Sequence, residues 1–217
     1  MNKQNKIIGC IVARLNSKRL NKKVLKPIGG SFGDTTLLDF LINRAKKSNV
    51  FDEIFLCTSN SIEDSILSEV AEKHNIKFYA GDPLDVSERL LYAAKKSNAN
   101  YIARITGDNP FSFFEFLPFQ KMLMDHYDYV RCANLPIGGT IEVFKLEALK
   151  KIIPKINPNE TEYMMLFLFD PTKLKVCVVY PTKVDFSNMS LTVDTQLDFD
   201  RFTKYAELLG EKSYELN

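Results

Sequence analysis

Between Arg14 and Lys26 the chain carries six cations, Arg14, Lys18, Arg19, Lys22, Lys23 and Lys26, and no carboxylate. A segment this basic is suited to an anionic partner. Two aspartates supply what such a segment lacks. Asp108 stands in Gly107-Asp108-Asn109-Pro110 and Asp194 in Val193-Asp194-Thr195, each directly after a run of strand-forming residues. A pair of carboxylates opposite a cationic loop suits a divalent ion shared between carboxylate and phosphate oxygens, which is how Mg²⁺ is usually held. Each residue also has a plainer role open to it: a solvated basic face for the loop, a turn position for Asp108, a helix N-cap for Asp194.

Other chemistries lack their residues. Cys10, Cys57, Cys132 and Cys177 are far apart in sequence, and each has apolar neighbours. They read as reduced core thiols of a cytoplasmic protein rather than zinc ligands or disulfides. His74 and His126 are the only histidines, so neither a zinc site nor a Cys/His nucleophile has local support. No Gly-x-Gly-x-x-Gly and no Gly-Lys-Ser/Thr loop is present, which removes the dinucleotide and P-loop readings. The basic segment has no Phe or Tyr to stack between bases, and no helix-turn-helix or zinc finger is visible, so nucleic acid is not the expected partner.

The elements that must position these residues follow from periodicity. β-branched runs at Ile7 to Val12, Ile54 to Thr58, Lys77 to Ala80, Tyr101 to Thr106 and Tyr129 to Cys132 read as strands. They alternate with helical periods around Leu37 to Ala45, Ser61 to His74, Val86 to Lys96 and Phe113 to His126. Such alternation predicts a doubly wound α/β fold, a mostly parallel sheet with helices on both faces. Further on, a strand is expected at Thr140 to Phe144, helices near Lys145 to Ile153 and Glu160 to Phe169, and strands at Leu174 to Tyr180 and Ser190 to Val193. A last helix is expected from Gln196 to Leu209. One domain of 217 residues is the economical reading, with residues 133–185 as a small β-containing lobe or dimer arm. In such sheets ligands bind beyond the carboxyl ends of the strands, and that is where the loop, Asp108 and Asp194 all fall.

The whole-chain composition agrees. Hydrophobic residues are 45% and charged residues 26%, which excludes a disordered or collagenous chain. Apolar stretches such as Tyr163 to Phe169 run seven residues, against about 20 for a membrane helix, so no membrane span is expected. Lys3 and Lys6 before apolar Ile7 to Ala13 imitate a signal peptide, but Arg14, Lys18 and Arg19 follow at once and favour a buried first strand. The net charge of +2 conceals a balance of +9 over residues 1–50 and −7 over the rest.

The run Ala13-Arg14-x-x-Ser17-x-Arg19-Leu20-x-x-Lys23-Val24-Leu25 resembles the signature of the cytidylyltransferases that activate acidic sugars. These include the synthetases for CMP-deoxy-manno-octulosonate and CMP-N-acylneuraminate, and the branch most like this chain is named after spore coat polysaccharide biosynthesis protein F. Further matches keep their order along the chain: Thr58-Ser59 with Asp64, Gly81-Asp82-x-x-Asp85-Val86 with Arg89, Arg104-Ile105-Thr106-Gly107-Asp108-x-Pro110, Glu142-Val143-Phe144, and Leu191-Thr192-Val193-Asp194-Thr195 with Asp198-Phe199.

The resemblance implies a nucleotide-diphospho-sugar transferase-like fold and transfer of CMP from CTP to an acidic sugar or phosphate-bearing glycan precursor, with release of pyrophosphate. It implies that Arg14, Arg19 and Lys23 hold the triphosphate, with Lys23 nearest the α-phosphate. Backbone groups near Ala13 and the side chains of Ser17 and Arg104 would reach the nucleoside. Asp108 and Asp194 would hold Mg²⁺, so Lys23, Asp108 and Asp194 form the catalytic set. Asn134, Thr140, Glu142 and Tyr163 are the acceptor-side candidates, and a homodimer is implied.

The chain departs from the family pattern at several positions. Asn16 replaces a Gly, Asn21-Lys22 replaces Pro-Gly, and Phe113, Thr140 and Tyr163 replace Asp, Asp and His. These changes imply an altered loop path and a different acceptor. The competing expectation is a catalytically weakened relative that binds nucleotide or sugar.

Overall fold

The computed structural model describes residues 5–17, 19–157 and 164–214. β1 (Ile7–Val12) is buried almost throughout, as expected of a strand covered on both faces. Its side chains alternate between two cores. Ile7 and Ile11 join Leu38, Leu41 and Leu67 on one face, and Ile8 and Cys10 join Val86, Leu90 and Leu149 on the other. The remaining strands are β2 (Glu53–Ser59), β3 (Lys77–Gly81), β4 (Tyr101–Thr106), β5 (Tyr129–Cys132), β6 (Glu142–Lys145) and β7 (Val176–Val179). All seven make one sheet in the order β3-β2-β1-β4-β6-β5-β7. β1 to β4 pair in parallel, as do β5 and β7, and β6 runs antiparallel to both β4 and β5.

Helices α1 (Leu37–Lys47), α2 (Leu67–Lys73) and α4 (Leu117–Leu123) contribute to the first core. α3 (Val86–Lys96), α5 (Leu146–Ile152) and α6 (Met165–Leu168) contribute to the second. α7 (Gln196–Leu209) closes a third cluster in which Phe199 and Phe202 meet Phe40 and Phe111. After β3 the chain crosses back past β1 to lay down β4. The carboxyl ends of β1 and β4 therefore flank the point where strand order reverses, the usual ligand crevice of an open α/β sheet. No helix among the described residues is long and apolar enough to cross a membrane.

Several expected elements move for identifiable reasons. The helix expected from Phe113 begins at Leu117, because Pro118 fits the first turn of a helix but not its interior. Phe113 itself is extended, and a 3-10 turn spans Phe114–Phe116. A second 3-10 turn, Glu63–Ile66, leads into α2. The strand expected at Ser190 to Val193 does not form. Ser190 makes a single bridge to Ile137, and the Val193 N–H donates to the Asp108 carbonyl at 2.9 Å, so this backbone is spent on loops rather than on a ladder. β6 and β7, both within residues 133–185, belong to the main sheet. The first part of the helix expected from Glu160, Tyr163 included, lies outside the described residues.

Buried Asp39 ties two helices together. It closes a capping box with Thr36 at the start of α1, and its Oδ1 lies 2.6 Å from Nε2 of His74 and 3.0 Å from Nζ of Lys73 at the end of α2. Burial works to raise its pKa, but the hydrogen bonds from His74, Thr36 and Lys73 outweigh burial and hold the carboxyl well below its usual range. A lowered folded pKa stabilises the fold above the unfolded value near 4, and that contribution fades as pH falls through the folded value. Asp39→Asn should therefore cost about 2 kcal/mol at pH 7. Urea unfolding at pH 7, 5 and 3 should also show a smaller acid loss in the variant than in the wild type. Parallel pH profiles for the two proteins would contradict this account.

Candidate functional site

A cleft of about 540 Å³ opens at the carboxyl ends of β1 and β4, lined among others by Ala13, Arg14, Ser17, Arg19, Lys23, Arg104, Asp108 and Asp194. The loop that carries the cations is fixed from behind. The Asp64 carboxylate, 2% exposed, accepts the Leu15 N–H at 2.7 Å and the Ser59 hydroxyl, and the Lys22 N–H closes the loop on the Leu15 carbonyl at 3.0 Å. Lys22 has φ 52°, the left-handed region that favours glycine. The position where the resembled pattern has Gly thus keeps a backbone conformation that glycine adopts readily. After it a 3-10 turn, Lys23–Leu25, buries Val24 in the core beside Leu38 and turns Lys23 inward.

The other wall depends on Gly107. Its N–H donates to the Val12 carbonyl at 2.8 Å, and a Cβ here would lie 2.7 Å from that of Ala13, so β4 can turn this close to β1 only with glycine. Asp108 occupies the turn closed by Asn109 N–H to the Thr106 carbonyl at 3.0 Å. The N-cap role open to Asp194 is taken by its neighbour. Thr195 caps α7, in a capping box with Asp198. Asp198 also accepts the Asp194 N–H at 3.2 Å, so the Asp194 carboxylate is free to face the cleft.

Lys23 joins the two carboxylates. Its Nζ lies 2.9 Å from Asp108 Oδ2 and 2.9 Å from Asp194 Oδ1, and Arg19 meets the other Asp194 oxygen at 2.9 Å. The Lys23 side chain is 8% exposed, against 25% and 28% for the two aspartates, so the cation is the deeper partner. The two carboxylate oxygens share one nitrogen and cannot be further apart than twice 2.9 Å, close enough to address a single ion. Among the described residues no group of three or more His, Cys, Asp or Glu could hold a metal. The two carboxylates that share Lys23 fit Mg²⁺, which takes one or two carboxylates and completes its shell with phosphate oxygens and water.

The acceptor-side candidates are placed differently. Glu142 pairs with Arg104 at 2.9 Å, each side chain 12% exposed, across the β4–β6 ladder, which joins two residues assigned separately to acceptor and nucleoside. The Thr140 hydroxyl donates to the Cys132 carbonyl at 3.2 Å, and the Asn134 carbonyl accepts the Phe186 N–H at 3.0 Å. None of the three is among the residues lining the cleft. The Phe113 ring sits where a Cβ on Gly139 would fall, 2.6 Å from it.

Arg89, which was not assigned a role, does line the cleft. It lies in the first turn of α3, whose N-cap is Asp85, and the only signal for it in the sequence was its place in the Gly81 to Arg89 match.

A cationic loop, an acid pair and a sheet reversal at one crevice define an α/β nucleotidyltransferase site. The chain belongs to the cytidylyltransferase family, whose model matches residues 8–206. It is 34% identical over 199 residues to an uncharacterized protein of Methanocaldococcus jannaschii, covering 89% of this chain and 80% of that one. It is 29% identical to the spore coat polysaccharide biosynthesis protein SpsF of Bacillus subtilis, covering 96% of this chain and 89% of SpsF. The structure of a cytidylyltransferase from Leptospira borgpetersenii superposes with a TM-score of 0.87 at 28% identity, covering 98% of this chain and 91% of that one.

Proposed function

We propose that this nucleotidyltransferase moves CMP from CTP to an acidic sugar or a related small glycan precursor, with Mg²⁺ bound at Asp108 and Asp194. The observation that carries the reading is the Lys23–Asp108–Asp194 cluster, which sits in one cleft with Arg14 and Arg19. An acceptor oxygen attacks the α-phosphorus as the bond to the leaving pyrophosphate breaks, a reaction that asks the protein mainly for positioning and charge neutralisation. The bound ion would polarise the α-phosphate and lower the pKa of the attacking hydroxyl. Arg14, Arg19 and Lys23 take the triphosphate, and Lys23 turns from the carboxylates to a phosphate oxygen. The relation to SpsF supports a surface polysaccharide as the destination of the product. A homodimer is part of the reading, carried over from the family resemblance.

CTP with Mg²⁺ should raise the melting temperature more than ATP, GTP or UTP does, because a ligand of the folded state stabilises it by mass action. Equal shifts for all four would reduce the site to polyphosphate binding, and no shift would remove the nucleotide reading. Pyrophosphate release from CTP across a panel of acidic sugars and phosphate esters then separates an active enzyme from a weakened relative.

A further inference from the structure

We infer that Arg44, which is not among the residues lining the cleft, is a positioning residue for the acid pair, an inference that rests on the metal-dependent reading above. It ties the loop of Asp108 to the C-terminal turn that follows the helix of Asp194, and so holds the two carboxylates at the spacing a divalent ion needs.

Arg44 lies near the end of α1 and is 5% exposed. Its Nη2 donates to the Ser112 carbonyl at 3.2 Å and stands 3.6 Å from Glu115 Oε1, while Nη1 donates to the Ser213 carbonyl. The guanidinium also lies 5.9 Å from the ring centres of Phe111 and Phe114. One side chain thereby meets the loop after β4, the 3-10 turn Phe114–Phe116 and a last 3-10 turn, Gly210–Tyr214.

Stability alone does not account for this arrangement. Burial lowers the Arg44 pKa, and the Glu115 charge offsets that only in part. Arg44 Nε, Glu115 Oε2 and Ser213 Oγ are buried and have no hydrogen-bond partner among the described residues. A buried ion pair left this incomplete commonly contributes less than well-packed apolar side chains would. What a planar fork of donors does supply is fixed geometry among several acceptors.

That geometry is passed to the aspartates by short steps. Ser112, 1% exposed, donates twice to the Asn109 carbonyl, from its N–H at 3.2 Å and its hydroxyl at 2.9 Å, and the hydroxyl also reaches the Gly138 carbonyl at 3.3 Å. Asn109 closes the turn that carries Asp108, and the Asp108 carbonyl accepts the N–H of Val193, the residue before Asp194. On the other side Phe111 packs on Phe40 and on Phe202 of α7, ring centres 5.5 Å from each, and Tyr214 packs on Phe40 at 4.9 Å. Arg44 therefore closes a frame made of α1, the Asp108 loop, α7 and the C-terminal turn. Mg²⁺ demands near-ideal octahedral geometry, and a site loosened by about 0.5 Å no longer provides it.

Calorimetric affinities for CTP with and without Mg²⁺, compared among wild type, Arg44→Lys, Ser112→Ala and Asp39→Asn, test this. Wild type should gain about tenfold or more in CTP affinity from the metal. Arg44→Lys and Ser112→Ala should bind metal-free CTP as wild type does and lose most of that gain, as loss of an outer-shell partner does at metal sites. Arg44→Lys keeps the charge without the fork. Ser112→Ala changes no charge and decides the matter if Arg44→Lys fails to fold. Asp39→Asn is the control for stability alone: it should melt lower and keep the wild-type gain. The full gain retained in either Arg44→Lys or Ser112→Ala, whatever its melting temperature, would overturn the inference and leave the enzyme reading standing. Equal losses of affinity with and without metal would overturn it too, by showing general damage to the cleft. If wild type gained nothing from Mg²⁺ the metal reading itself would fail, and if it bound no CTP the nucleotide reading would fail, and the inference falls with either.

Discussion

Asp108→Asn and Asp194→Asn should each abolish metal-dependent turnover and leave the fold intact. Either amide keeps the shape of the side chain and an oxygen that can still accept from Lys23, whose Nζ is 2.9 Å from both carboxylates. What each variant loses is the charge that holds a divalent ion. Turn and cap roles predict the opposite, since Asn serves both positions well. The structure already gives the cap of α7 to Thr195, so a loss of activity in Asp194→Asn has no capping explanation. The assay is pyrophosphate release, with melting curves to confirm the fold. Wild-type activity in either variant would remove that residue from the mechanism.

Lys23→Ala should lower turnover about 10²-fold or more, because a preorganised charge of this kind contributes about 3 kcal/mol to the transition state. Lys22→Gly is the control. Lys22 is exposed, makes no ion pair with a described residue, and holds a backbone conformation that glycine adopts without strain. Its loss should change turnover little and leave stability unchanged or raised by up to about 1 kcal/mol. Adjacent residues of equal charge would thus differ by two orders of magnitude. If both variants were equally harmless, the loop would be an ordinary solvated face.

The contrast between these neighbours shows what the sequence made legible. Composition and spacing gave a cationic loop and two aspartates at strand ends, and periodicity placed β1, β2, β4, β5, α3 and α7 within a residue or two. That Lys23 rather than Lys22 turns inward depends on Val24 seeking the core and on the left-handed turn at Lys22, which no charge count reveals. Asp198 shows a different limit. Its capping box with Thr195 could be read from the spacing Thr195-x-x-Asp198, but its hold on the Asp194 N–H, which keeps the Asp194 carboxylate free, is a tertiary detail. The Glu142–Arg104 pair arises from an antiparallel register between strands 38 residues apart, which periodicity cannot supply. The Ser190 to Val193 run failed as a strand because β-propensity describes a segment that fits a sheet and says nothing of whether a neighbouring strand is free to pair with it. Arg89 stood within a recognised match, yet its burial at the wall of the cleft is a property of the folded chain alone.

A crystal structure with a non-hydrolysable CTP analogue and Mg²⁺ tests the central claim most directly. The account predicts one metal between Asp108 and Asp194, bound directly at about 2.1 Å or through one of its waters, with phosphate oxygens completing its shell and Lys23 moved onto a phosphate. A nucleotide bound elsewhere, or Asp108 and Asp194 still paired with Lys23 while the metal sits apart from them, would contradict it.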